Sequence, residues 1–79
     1  MNAEESVVTL DARGLSCPEP VMLLHKAIAE LAPGQRLLVV ATDPTTQRDI
    51  PQFCRFLGHE LELSEEQNDE FRYTLVKGA

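Results

Sequence analysis

The sequence has little of what disulfide-stabilised, metal-binding and membrane proteins need. Its 79 residues include two cysteines, Cys17 and Cys54, and two histidines, His25 and His59. The cysteines lie far apart and form no C-x-x-C pair, which excludes a disulfide framework and predicts reduced thiols. The four residues together lack the paired spacing of zinc ligands, so we expect no metal. No apolar run approaches the roughly 20 residues that a membrane span needs.

Basic residues are also few. Seven Lys and Arg stand against 13 Asp and Glu, a formal net charge of -6. Such a chain is repelled by phosphates, so we expect no direct nucleic acid binding. Residues 1–6 contain two glutamates and no basic residue, unlike a signal peptide. We therefore expect a soluble, cytoplasmic, monomeric protein whose residues 1–79 form a single domain.

Hydrophobic patterning predicts the order strand, helix, strand, helix, strand, strand. We expect a first strand over 7–10 that ends at Asp11, and an apolar strand over 37–41 buried in the middle of the sheet. Two alternating strands, 60–63 and 71–75, should form an antiparallel hairpin around a turn over 66–69. Right-handed crossovers then place both helices on one face of a four-stranded mixed sheet, in a two-layer α/β (α+β) sandwich.

Each predicted helix has one apolar face. Pro18 and Pro20 suit the first turn of the first helix, and Pro33-Gly34 follows its end. The second helix should begin near Asp49 or Ile50, because Pro51 is unfavourable inside a helix, and should end at Gly58. The predicted core faces are Pro20, Val21, Leu24, Ala27, Ile28 and Leu31 in the first helix, and Ile50, Phe53, Cys54 and Leu57 in the second.

Cys17 is the residue most suited to chemistry. It lies between a glycine-containing loop and the predicted helix, where an N-cap sulfur is exposed to the positive end of the helix dipole. A free cysteine is more often a small buried hydrophobe, but Cys17 lies outside the periodic apolar pattern. Pro18 and Pro20 offer no N–H, and Glu19 adds a negative charge that partly offsets the dipole. This pattern indicates a rigidly held sulfur carrier rather than a self-activated hydrolytic nucleophile.

The segment around Cys17 resembles a known family. Residues 10–22, with Cys17-Pro18-Glu19-Pro20 at their centre, are similar to the signature of the TusA/SirA sulfurtransferases, whose core is Cys-Pro-x-Pro. The similarity continues through 43–44, 48–51, 53–54 and 58–61 and covers nearly the whole chain. It implies the fold of the C-terminal domain of translation initiation factor three. It also implies that Cys17, without a cofactor, accepts sulfur as a persulfide from a cysteine desulfurase or a rhodanese-like donor and hands it to the next relay protein.

The resemblance leaves the pathway open. Members of the family serve 2-thiolation of the wobble uridine in tRNA, molybdenum-enzyme maturation or sulfur oxidation. Similarity at Arg72-Tyr73 and Lys77-Gly78 favours the tRNA branch. His25 stands where an arginine is expected, so one contact to an acidic donor surface is expected to be weaker or pH-dependent. The alternative to a sulfurtransferase is a protein of another functional class: a regulatory or binding module on the same fold, in which the cysteine is incidental.

Several other residues have two interpretations. Cys54, on the core face of the second helix, is expected to be structural; the alternative is a resolving cysteine that pairs with Cys17. His59 follows a helix end and is expected at the surface or as a cap. Met22 lies on the outward face near Cys17, so a partner-docking role together with Lys26 is predicted, with Phe56 on the second helix as the alternative face.

Overall fold

The computed structural model describes residues 7–78, so the prediction about a signal peptide in residues 1–6 lies outside this range. Its elements follow the predicted order: β1 (Val7–Ala12), α1 (Glu19–Ala29), β2 (Arg36–Ala41), α2 (Thr46–Leu57), β3 (Glu60–Gln67) and β4 (Glu70–Val76). The sheet order is β1-β2-β4-β3, with β1 parallel to β2 and the other neighbouring pairs antiparallel. The predicted mixed four-stranded sheet and its hairpin are confirmed. No helix within 7–78 has the length and apolar character to cross a bilayer.

The core lies between one face of the sheet and the two helices. On β2 and β4, the directly paired residues Leu37–Leu75, Val39–Tyr73 and Ala41–Phe71 are buried. Residues of both helices pack into the same cluster, which confirms that the helices share one face: Leu24, Ile28, Ile50, Phe53 and Cys54. The alternate residues Leu38 and Val40 are half-buried because neither α1 nor α2 packs on the other face of the sheet.

The start of α2 differs from the prediction. The helix begins at Thr46 and contains Pro51, whereas a start near Asp49 or Ile50 was expected. Backbone N–H groups of the first turn bond back to carbonyls of residues 43–45, and the buried Thr46 hydroxyl donates to the Asp43 carbonyl at 2.7 Å. This turn is therefore secured before Pro51 is reached, and the proline removes only one donor near the helix start.

Other boundaries and faces also differ. β1 extends through Asp11 to Ala12, and β3 extends to Gln67, so the hairpin turn shrinks to Asn68-Asp69. Both turn residues have positive φ, 54° and 65°, which a two-residue type I′ turn requires and which Asn and Asp tolerate. The alternation predicted for 60–63 holds at Leu61, which packs against the core, but fails at Leu63, which is 46% exposed because a β-bulge between Leu61 and Leu63 shifts the register against β4. Leu57, predicted in the core, is 49% exposed at the end of α2.

The C-terminal residues are held against the rest of the fold. The Lys77 backbone exchanges hydrogen bonds with Gly34 and Gln35, and its Nζ donates to the Leu31 carbonyl at 2.9 Å. The Gly78 N–H donates to Nδ1 of His59 at 2.9 Å, and a Cβ at Gly78 would collide with the carbonyl of Gly58. His59 is half-buried and its acceptor nitrogen secures this end of the chain.

Candidate functional site

Cys17 lies in a tight turn immediately before α1. The Glu19 N–H donates to the Ser16 carbonyl at 2.9 Å, so Cys17 and Pro18 are the central residues of this turn, and the peptide bond between them is cis. Cys17 is exposed. The N-cap is Pro18, whose carbonyl accepts from the Met22 N–H at 3.1 Å, so the N-cap position predicted for Cys17 is wrong by one residue. The sulfur is one residue further from the helix, where the dipole acts more weakly.

The backbone of Cys17 is fixed by the loop between β2 and α2. Oδ2 of Asp43 accepts the Cys17 N–H at 2.7 Å, and Oδ1 accepts the Thr45 N–H at 3.0 Å. Thr42 accepts the Gly14 N–H at 2.9 Å. The backbone hydrogen bonds from Thr45 and then Cys17 hold the pKa of Asp43 below its ordinary value. Asp43 is therefore a carboxylate at neutral pH and anchors the turn that presents the sulfur.

The sulfur itself faces α2. The Cys17 thiol donates to Oδ2 of Asp49, with a Sγ···O distance of 3.8 Å. Sequence reasoning missed both Asp43 and Asp49 because they lie 26 and 32 residues from Cys17. Both fall in segments of family resemblance, 43–44 and 48–51, which was the one signal that pointed to them.

The other three residues of the Cys-Pro-x-Pro motif differ in their burial. Pro20 is fully buried and fixes the start of α1 to the core. Pro18 and Glu19 are exposed beside Cys17. The motif thus joins one buried anchor to an exposed turn, so the sulfur is presented on a supported backbone.

An apolar groove of about 510 Å³ opens beside Cys17 between α1 and α2. Its walls include Pro18, Val21, His25, Phe53, Phe56 and Leu57. Phe56 is 93% exposed, and His25 packs edge-on against Phe53 with ring centroids 4.6 Å apart. Met22 and Lys26 are exposed as predicted, but they lie outside the groove walls. The groove itself was missed, because helix periodicity does not report how two helices are spaced.

Cys54 is separated from this surface by its burial. It is 3% exposed in the core cluster, and burial raises the pKa of its thiol to about 11. Its predicted place in the core is confirmed. Within residues 7–78, no group of three or more His, Cys, Asp or Glu side chains is arranged to hold a metal ion.

This fold and site define a class of protein: a small two-layer α/β domain that presents one accessible thiol, fixed through its backbone, at the edge of an apolar groove. Residues 8–77 match the sequence model of the family described as Sulfurtransferase TusA. The chain therefore belongs to the TusA family, and carrying sulfur within a relay is its general function.

Relatives and a solved structure agree with this assignment. The chain is 59% identical over 71 residues to the sulfur carrier protein TusA of Pseudomonas entomophila, covering 90% of this chain and 89% of the relative. It is 56% identical over 71 residues to the Pseudomonas fluorescens protein of the same name, covering 90% and 86%. A crystal structure of a SirA-like protein from Desulfitobacterium hafniense matches with a TM-score of 0.79 and 29% identity, over 94% of this chain and all of that one. The resemblance noted in the sequence is confirmed.

Proposed function

We propose that Cys17 accepts sulfane sulfur as a persulfide from a cysteine desulfurase or a rhodanese-like donor and passes it to a downstream relay protein. The observation that carries this proposal is the exposed sulfur of Cys17 on a backbone anchored by Asp43. An anchored, accessible sulfur can meet a cysteine on a second protein, whereas the buried Cys54 cannot. The chain would act as a sulfurtransferase in the sense of a carrier, in the cytoplasm.

Three neighbouring residues support this role. The buried ring of Pro20 fixes α1, and the turn through Pro18 keeps the sulfur outside the helix. Glu19 closes the turn with its backbone N–H. We assign the three residues to presentation of the sulfur rather than to bond making, because the sulfur's only side-chain hydrogen bond within residues 7–78 goes to Asp49.

Donor docking is proposed on the surface around Cys17. Met22 is 62% exposed and lies near the turn, and Lys26 lies one helical turn further on. A methionine adapts to an apolar pocket, and a lysine can meet an acidic rim. The groove adds a second apolar element, with Phe56 at its wall. Large apolar groups that the core does not use are typical of protein-binding surfaces.

We propose tRNA wobble-uridine 2-thiolation as the pathway, on the strength of the high identity to curated TusA carriers. Support for this pathway from Arg72-Tyr73 and Lys77-Gly78 is weaker, because three of these residues have structural roles. Tyr73 is buried in the core, and Lys77 and Gly78 hold the C-terminal end. Expression in a host that lacks its own carrier should restore 2-thiouridine in tRNA. Restoration of molybdenum-enzyme or sulfur-oxidising activity alone would reassign the pathway.

Sulfur loading distinguishes a carrier from a regulatory module. The chain is incubated with a cysteine desulfurase and cysteine, and its intact mass is measured. A carrier gains sulfur on Cys17. A module in which the cysteine is incidental gains none, while retaining the same fold.

A further inference from the structure

The core contains two hydroxyl groups that packing alone does not require. Thr46, at the start of α2, and Tyr73, on β4, are both buried, and their oxygens lie 2.9 Å apart. A phenylalanine would fill the space of Tyr73 without a polar atom, and a buried hydroxyl is costly unless it is hydrogen-bonded. A satisfied polar pair in an apolar core fixes a particular geometry, which indicates a role beyond packing.

The direction of these hydrogen bonds follows from the acceptor at one end. The Thr46 hydroxyl lies 2.7 Å from the carbonyl oxygen of Asp43, which can only accept, so Thr46 donates there. The hydrogen bond between the two hydroxyls is then donated by Tyr73. Burial raises the pKa of Tyr73 above its ordinary value, so its hydroxyl keeps the proton that it donates. A chain of hydrogen bonds therefore runs from β4 through the start of α2 to the backbone of Asp43.

The side chain of Asp43 continues this chain to the residue that bears the sulfur. Its Oδ2 accepts the Cys17 N–H at 2.7 Å, a distance typical of a charge-assisted hydrogen bond. Its carbonyl accepts both the hydroxyl and the N–H of Thr46, at 2.7 and 3.0 Å. Because one residue makes all three contacts, a shift of the Asp43 backbone also moves the acceptor that holds Cys17.

We propose that Thr46 and Tyr73 are positioning residues for sulfur transfer, whose hydroxyls hold Asp43 where it fixes the backbone of Cys17 for a protein donor. Because this role serves sulfur transfer, it rests on the proposed carrier function of Cys17. Both hydroxyls act through Asp43, which lies between them and Cys17. Two protein-bound sulfurs must be aligned to react, and a misplacement of about 1 Å can slow a reaction by about 100-fold. A small polysulfide approaches freely and needs no such alignment.

Hydrogen exchange at the Cys17 amide, followed by NMR spectroscopy, tests the connection without any sulfur. Tyr73→Phe removes one hydroxyl and keeps the ring, and should raise the Cys17 exchange rate about three- to tenfold, as for loss of one supporting hydrogen bond. Thr46→Val should raise it at least as much, whereas Thr46→Ser, which keeps the hydroxyl, should stay near the wild-type rate. Thr74→Val is the matched control, because it removes a hydroxyl from the neighbouring residue on the other face of β4 and should change nothing.

Sulfur loading by a cysteine desulfurase, measured against the concentration of the carrier, tests the consequence. Tyr73→Phe should lower kcat by about tenfold at nearly unchanged KM, because the docking surface around Met22 and Lys26 is intact. Loading from a small polysulfide should continue at the wild-type rate. Cys54→Ala loses stability elsewhere in the core and should keep the wild-type kcat and the wild-type exchange rate at Cys17, since amides in loops exchange through local openings.

Either a wild-type exchange rate at Cys17 or a wild-type kcat in Tyr73→Phe would overturn the proposal, and so would an equal loss of kcat in Cys54→Ala. If the substitutions prevent folding, the unmodified chain decides. Its Cys17 amide should be protected from exchange, and exchange as fast as in an unfolded peptide would show that Asp43 does not hold it. A wild-type protein with a protected Cys17 amide that gains no sulfur would instead refute the proposed carrier function.

Discussion

Replacing Cys54 tests whether the second cysteine serves the core or the chemistry. Its side chain is 3% exposed beside Ile50 and Phe53. Cys54→Ala removes one buried sulfur, similar in size to a methylene group, at a transfer cost of about 0.8 kcal/mol. The cavity left behind adds a comparable amount, for a total loss of about 1–2 kcal/mol. For a domain of this size, that lowers the melting temperature by about 5–15 °C.

Sulfur loading should survive this loss of stability. Burial raises the pKa of Cys54 from 9.0 to about 11, which lowers its thiolate population at neutral pH by about 100-fold. Thermal unfolding by circular dichroism gives the stability, and intact mass after incubation with a desulfurase and cysteine gives the loading. Cys54→Val, which refills the space, should recover most of the stability. Cys54→Ser should lose at least as much stability as the alanine variant if its hydroxyl is unpaired, because a buried unpaired hydroxyl costs about 1–3 kcal/mol. A variant with wild-type stability that accepts no sulfur would refute the reasoning and make Cys54 a catalytic partner.

Two further predictions concern docking and pH. Met22→Glu with Lys26→Glu should slow transfer from the desulfurase by about tenfold or more at unchanged melting temperature, while loading from a small polysulfide continues. If desulfurase-driven transfer is unchanged, Phe56→Asp should slow it instead, which would move the docking face to α2. Burial lowers the pKa of His59, whose neutral ring accepts the Gly78 N–H. The neutral His59 ring should therefore contribute its full stability above about pH 6.5, the ordinary pKa of histidine in the unfolded chain. That contribution should be lost as pH falls through the lower pKa that His59 has in the folded protein. Urea midpoints should show the loss, and His59→Asn should flatten it; identical profiles would contradict the assignment.

Local spacing predicted the parts of the fold that depend on one element at a time. The buried face of α1, with Leu24 and Ile28, and the alternating burial of Phe71, Tyr73 and Leu75 on β4 follow directly from helical and strand periodicity. Periodicity did not predict the start of α2. The effect of Pro51 depends on whether the turn before it is already held by hydrogen bonds, which the sequence does not show.

Within the candidate site, Cys17 could be predicted from the sequence, whereas the residues that contact it could not. Its motif and its place outside the apolar pattern identified it, and its accessibility is confirmed. The partners Asp43 and Asp49 come from the loop after β2 and from α2, so their approach depends on the tertiary fold rather than on spacing near Cys17.

The most direct test of the account is the mass of the protein after incubation with a cysteine desulfurase and cysteine. The wild type and Cys54→Ala should each gain sulfur that maps to the peptide containing Cys17 and is released by a thiol reductant. Cys17→Ser should gain none, with its melting temperature nearly unchanged because the replaced side chain is exposed. Sulfur bound by Cys17→Ser, or a wild-type protein that gains none under the same conditions, would contradict the assignment of sulfur carriage to Cys17.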